Sequence, residues 1–156
     1  MSKHKDKVVV ITGGARGLGR AICKRLAEDG AKIALADILD CSETIEQSGL
    51  DSDRILQQKC DVTSAEDIES LKNEVNSKFG GCDILVHSAG IFPACPFENL
   101  SFELWKKVQS VNLDSAFHLC KAFLPGMKEK KWGRVISISS NTFYVAPPAL
   151  SHYVAS

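Results

Sequence analysis

Thr12-Gly13-Gly14-Ala15-Arg16-Gly17-Leu18-Gly19 lies between a short apolar run and a stretch of helical spacing. Glycines so placed let backbone approach a pyrophosphate closely, and the free N–H groups of a helix start bind the anion. Asp37 closes the next apolar run, eighteen positions after Gly19. A carboxylate there accepts hydrogen bonds from the adenosine ribose hydroxyls and repels a 2′-phosphate. Arg16 argues the other way, because a cation in the turn can pair with that phosphate. The carboxylate decides, since an exposed arginine can swing aside and a strand-end acid cannot. The turn and the acid read as a site for NAD in preference to NADP, with Gly13, Arg16, Gly17, Leu18, Gly19 and Asp37 against the cofactor. Two plainer readings stay open: a tight turn without a ligand, and an aspartate that only shapes a strand end.

These residues need elements to hold them. Lys7-Val8-Val9-Val10-Ile11 is the β-branched run of a strand buried on both faces. Further strands are expected at Ile33-Ala34-Leu35-Ala36, at Arg54 to Cys60 (more polar, hence nearer an edge), at Asp83-Ile84-Leu85-Val86 and at Gly133 to Ser139. Gly17 to Asp29 has helical spacing through Leu18, Ala21, Ile22, Arg25 and Leu26, with Gly30 as the stop. Ser64 caps a helix whose stripe is Ile68, Leu71, Val75 and Phe79, ended by Gly80-Gly81. Ser101 opens a long helix with Leu104, Trp105, Val108, Val111, Phe117, Cys120 and Phe123 inward. Alternation of strand and helix predicts an α/β fold, a Rossmann-type doubly wound parallel sheet. Residues 1–156 form its N-terminal five-strand portion as a single dinucleotide-binding domain.

Composition excludes several other classes. Of 156 residues, 44% are hydrophobic and 24% charged, the balance of an ordinary globular domain. Nineteen basic residues offset nineteen acidic ones, which argues against a nucleic-acid surface built on a basic excess. The basic start Met1 to Lys7 is followed by too short an apolar run for a signal peptide, and no stretch is long enough to span a membrane. The expected compartment is the cytoplasm. Six cysteines without a C-x-x-C pair fit incidental thiols better than disulfides or a metal site. No metal site is expected, and one redox-sensing cysteine is a minor alternative.

Thr-Gly-x-x-x-Gly-x-Gly at 12–19 resembles the cofactor signature of the short-chain dehydrogenase/reductase family. Asp61-Val62 is similar to that family's adenine-contacting pair, and His87-Ser88-Ala89-Gly90 resembles its Asn-Asn-Ala-Gly motif. Asn112 falls where the family has its structural and catalytic asparagine, and Ser140 and Tyr153 match its catalytic serine and tyrosine. The resemblance implies cofactor contacts at Asp61, Val62, His87, Ala89 and Gly90, and catalytic roles for Asn112, Ser140 and Tyr153. It also implies an oxidoreductase that interconverts a secondary alcohol and its ketone. A hydroxyl proton must leave as hydride leaves carbon. A phenol takes that proton poorly at neutral pH, its ordinary pKa being about 10, and a neighbouring ammonium lowers that value.

Two departures stand out. His87 and Ser88 replace asparagines, the first of which ties neighbouring strands, so His87 is expected either to do the same or to find another partner. The family's lysine four positions after the tyrosine would be residue 157, past Ser156. The expectation is a C-terminally incomplete chain that is aggregation-prone and inactive by itself. Homo-oligomers are then expected only of a full-length chain. The rival reading is a non-catalytic nucleotide-binding remnant or incomplete gene model. Singly, Ser140 could be a turn serine, Tyr153 a core tyrosine and Asn112 a solvent-facing amide. Ile91 to Phe97 and Asn141 to Pro148 are apolar and aromatic and are expected to form the mouth for a small hydrophobic alcohol or ketone.

Overall fold

The apolar runs become five parallel strands in the computed structural model, which describes residues 3–156. Met1 and Ser2, part of the basic start, lie outside the described residues. The strands are β1 (Val8–Thr12), β2 (Lys32–Asp37), β3 (Ile55–Lys59), β4 (Ile84–His87) and β5 (Arg134–Ser137), ordered β3-β2-β1-β4-β5. β3, the more polar run, is one edge, and β5 is the other. Winding reverses between β1 and β4, so a ligand crevice opens beyond the carboxyl ends of those two strands.

The helices are α1 (Gly17–Glu28), α2 (Ser42–Ser48), α3 (Ala65–Phe79), α4 (Phe102–Gln109), α5 (Ser115–Glu129), α6 (Thr142–Val145) and α7 (Ser151–Val154). Strand side chains alternate between two cores. Val8, Val10 and Leu85 pack with Leu71 and Val75 of α3 and Leu119 and Phe123 of α5. Val9, Ile11, Ile33 and Val86 pack on the other face with Cys23 of α1 and Cys41, next to α2. Ser64 and Ser101 cap as expected, their hydroxyls accepting from the amides of Asp67 and Leu104 at 3.1 Å. Gly80 ends α3 in the left-handed region at φ 78°.

Three expectations need correction. The long helix after Ser101 is two α-helices joined by a π-helical segment, Ser110–Asp114. Phe117 does not face the core and is 63% exposed. It lies two positions from both Ser115 and Leu119, which places it about 200° around the helix from each of these buried residues. In α1 the buried stripe runs through Gly19 and Cys23, with Ile22 and Leu26 partly covered, while Leu18 and Ala21 face outward. Gly19 sets that rotation, because a Cβ there would overlap the carbonyl oxygen of Gly13. All four residues of β5 are exposed.

Four of the six thiols sit in the cores or beside them. Burial pushes Cys23 up to about 11 and Cys41, Cys60 and Cys82 up to about 12. Such thiols stay protonated and are poor nucleophiles at neutral pH, so a redox-sensing role would fall to half-buried Cys95 or Cys120.

His87 ends β4 opposite Thr12 of β1. Its side chain does not bridge strands; Nε2 lies 2.8 Å from the Ser115 hydroxyl on α5. That hydroxyl spends its proton on the Val111 carbonyl at 2.6 Å, so His87 Nε2–H is the donor. The bond fastens the central sheet to the helix layer, and burial holds the imidazole pKa below its ordinary 6.5. The sign follows: the unfolded chain takes up a proton as pH falls through 6.5, the folded chain resists, and stability is lost on the acid side. Denaturant midpoints measured from pH 8 to 5 should therefore fall. His87→Asn should flatten that slope.

Candidate active site

The turn after β1 is closed by three fitted contacts. Thr12 Oγ1 accepts from the amides of Ser88 and Ala89, each at 3.2 Å, which joins the ends of β1 and β4. Gly13 has φ +69°, and a Cβ there would stand 2.8 Å from the Ala89 nitrogen. Its own amide donates to the Ala36 carbonyl at 2.9 Å. Gly17 differs in kind, since its φ is +59° and no atom lies within 4 Å of where a Cβ would sit. The N-cap, Arg16, contributes no side-chain hydrogen bond to the start of α1. An open cradle at an uncapped helix start, with Arg16 and Leu18 exposed beside it, fits a phosphate group.

Asp37 faces the same turn. Its Oδ2 accepts from the Ala15 amide at 2.9 Å and its Oδ1 from the Leu39 amide at 3.0 Å. Each oxygen keeps a lone pair for a further donor. The Cys60 amide donates to the Asp37 carbonyl at 3.0 Å, bringing Asp61 and Val62 alongside. Asp61 Oδ1 is engaged by the amide and hydroxyl of Thr63 at 2.9 and 2.8 Å, and Val62 is buried. Ala89 and Gly90 lie at the crevice through their backbone. The His87 side chain does not, being turned toward α5.

Asn112, in the π-helical segment, is half-buried and fully employed. Its Oδ1 accepts from the Ile91 amide at 2.9 Å and its Nδ2 donates to the Ile91 carbonyl at 3.0 Å, as a neighbouring strand would. Nδ2 also donates to Ser156 Oγ at 2.8 Å, and Ser156 Oγ donates to the Tyr153 carbonyl at 2.8 Å. Asn112 and the Tyr153 turn are thus linked. Ser140 Oγ accepts from the amide and hydroxyl of Thr142 at 3.2 and 2.9 Å, leaving its own proton to give. Among the described residues no hydrogen bond joins the Ser140 and Tyr153 hydroxyls.

Of the two expected mouth segments, 91–97 meets the chain just past 141–148. The Cys95 amide donates to the Ala149 carbonyl at 2.8 Å, and the Phe92 and Tyr153 rings pack with centroids 5.6 Å apart. His152 adds a contact that sequence reasoning missed. It is fully buried, donates from Nε2 to the Pro93 carbonyl at 2.8 Å, and receives Gln109 Nε2 on its own carbonyl at 2.9 Å. Its only sequence signal is adjacency to Tyr153. Arg20, Glu43 and Thr44, at the back of the glycine turn, were missed as well. No group of three or more metal-binding side chains occurs among the described residues, and no helix there is long and apolar enough to cross a membrane.

Comparison with known proteins gives the family and the fold. The family model for short chain dehydrogenase matches residues 7–156. The D-beta-hydroxybutyrate dehydrogenase of Rhizobium meliloti is 40% identical over 153 residues, covering 96% of this chain and 59% of its own. The 3-oxoacyl-[acyl-carrier-protein] reductase FabG of Vibrio cholerae is 36% identical over 97% of this chain and 62% of its own. A Brucella melitensis short-chain dehydrogenase/reductase of the glucose/ribitol dehydrogenase type superposes with a TM-score of 0.91 at 34% identity, over 98% of this chain and 64% of that one. The chain therefore spans about three-fifths of the length of such relatives. With the family model matching residues 7–156 and a parallel five-strand sheet shared with a solved member, the chain belongs to the short-chain dehydrogenase family.

Proposed function

We propose that the full-length protein carrying these residues is an NAD-dependent oxidoreductase that interconverts a hydrophobic secondary alcohol and its ketone. The observation that carries this reading is the open Gly17 cradle at the uncapped start of α1, with the Asp37 carboxylate one hydrogen bond away through Ala15. A nicotinamide dinucleotide, when bound, supplies the hydride acceptor or donor. Gly17 admits its phosphates while Gly13 seats the turn against Ala89, and Asp37 takes the ribose hydroxyls and opposes a 2′-phosphate. The Tyr153 phenol takes or returns the hydroxyl proton. Ser140 donates its remaining proton to the substrate oxygen, and Asn112 holds the Ile91 backbone in place beneath them.

The substrate class follows from the mouth. Phe92, Phe143 and Tyr144 are 67%, 68% and 86% exposed, and neither 91–97 nor 141–148 contains a lysine or arginine. That surface suits an apolar substituent better than a short acid needing a cation partner. Hydroxybutyrate and 3-oxoacyl chains are the substrates in the relatives' names. The segments Cys82 to Val86, Trp105 to Lys107, Lys121 to Lys128 and Trp132 to Arg134 resemble (S)-1-phenylethanol dehydrogenase, which supports an aryl-substituted alcohol. Cytoplasmic residence fits the same reading.

Titration of NADH and NADPH should show NADH binding tighter by about tenfold or more, or roughly 1.4 kcal/mol. Asp37→Ala should narrow the gap. Equal or tighter NADPH binding in the unmodified protein would hand the decision to Arg16. Tyr153→Phe should lower kcat by about 10²- to 10⁴-fold, the usual share of a positioned acid or base, with NADH affinity within about twofold. A Tyr153→Phe protein at full activity would end the assignment. His152→Gln keeps a donor for the Pro93 carbonyl and should retain turnover. His152→Leu should cost about ten- to hundredfold in kcat by misplacing the phenol.

A further inference from the structure

Behind the glycine turn lies a polar assembly with no exposed ligand of its own. Arg20 Nε donates to Thr44 Oγ1 at 3.0 Å, Nη1 to Glu43 Oε1 at 2.5 Å, and Nη2 to Glu43 Oε2 at 2.8 Å and to the Ala15 carbonyl at 2.6 Å. The Thr44 hydroxyl, fully buried, lies 2.9 Å from the Gly14 carbonyl and 3.0 Å from that of Ala15, and its one proton is shared between them. On its other side the Ala15 amide donates to Asp37 Oδ2. Ala15 is therefore gripped at both its N–H and its C=O. A run of polar contacts passes from Glu43 through Arg20 and Ala15 to the carboxylate assigned to the ribose.

A turn binds an anion only if its carbonyl oxygens point elsewhere, because each carries negative partial charge that would repel a phosphate. Here two carbonyls of the turn point toward α2, where a hydroxyl and a guanidinium receive them. A lysine could reach one of these acceptors; the planar five-donor fork of arginine meets the glutamate bidentately and the carbonyl as well. We propose that Arg20, held by Glu43 and Thr44, is a positioning residue for dinucleotide binding. By holding the Ala15 carbonyl it turns the Arg16 amide, on the opposite side of the same peptide, toward the pyrophosphate, and it keeps the Ala15 amide on Asp37 so that the carboxylate is held toward the ribose. This rests on the cofactor assignment made above.

The test is fluorescence titration of NADH into the full-length protein, with steady-state kinetics and thermal melts on the same samples. Arg20→Ala should raise the NADH Kd about tenfold, and Arg20→Lys less, as expected for removal of a charge-assisted bond to a covered carbonyl. Glu43→Ala, at an exposed side chain, should raise it about threefold and carries the test if Arg20→Ala folds poorly. KM for NADH should rise with Kd while kcat changes less than about twofold. Arg20→Ala and Asp37→Ala should combine to less than the product of their separate effects, since both act through Ala15. Unchanged NADH affinity in both Arg20→Ala and Glu43→Ala, or multiplicative losses with Asp37→Ala, would overturn the positioning role and leave the cofactor assignment intact. Failure of the unmodified protein to bind NADH or NADPH would overturn both.

Discussion

The close approach of two backbones at Gly13 and Ala89 holds the working end of this molecule together. β1 and β4 are the central strands, and their chains leave in opposite directions, one into α1 and the other into the segment that carries Ile91 to Phe97. A crevice exists there only if the strand ends stay side by side while their continuations part. Thr12 supplies the adhesion by accepting two amides from the neighbouring segment. Gly13 supplies the clearance, since any side chain would meet Ala89 backbone at under 3 Å and would need a left-handed φ that L-residues disfavour. Without both, the turn would shift away from the acid it faces.

Most of the side chains around the crevice serve backbone, and the reason is general. Segments leaving a buried sheet carry N–H and C=O groups that have lost their strand partners, and each must be paired. Asn112 takes both groups of Ile91, Arg20 and Thr44 take the carbonyls of Gly14 and Ala15, and His152 takes that of Pro93. Groups free to act on a ligand are then few: the helix start at Gly17, the remaining lone pairs of Asp37, the proton of Ser140 and the phenol of Tyr153.

The legible part of the sequence was the part written in local pattern. Continuous apolar runs marked the strands, Ser64 and Ser101 marked helix starts, and the glycine spacing marked the turn. What stayed hidden depends on partners far along the chain. Arg20 reads as a surface arginine until Glu43 and Thr44 of α2 fold against it. His152 reads as one more polar helix residue, yet its partner lies fifty-nine positions back at Pro93. His87 was expected either to tie neighbouring strands or to be satisfied by another partner, and the ring reaches Ser115 on the helix layer. Phe117 was placed inward from apolarity alone, and its phase relative to Ser115 and Leu119 would have turned it outward.

The two halves of the crevice are built from different chemistry and from different stretches of chain. The side next to the glycine turn is polar and charged, and its network of Asp37, Ala15, Arg20, Thr44 and Glu43 closes on itself within the first 44 residues. On the other side, the apolar segment 91–97 is tied to the chain that follows 141–148 through Cys95–Ala149 and the Phe92–Tyr153 ring pair. The halves meet through Thr12 with Ala89, Gly13 against Ala89, and Gly90 beside Asn112, all of them backbone approaches or amide bonds. Side chains of the apolar segments can therefore change without disturbing any bond in the polar network. That separation lets the polar turn and the apolar segments vary independently, because no bond of one is shared with the other.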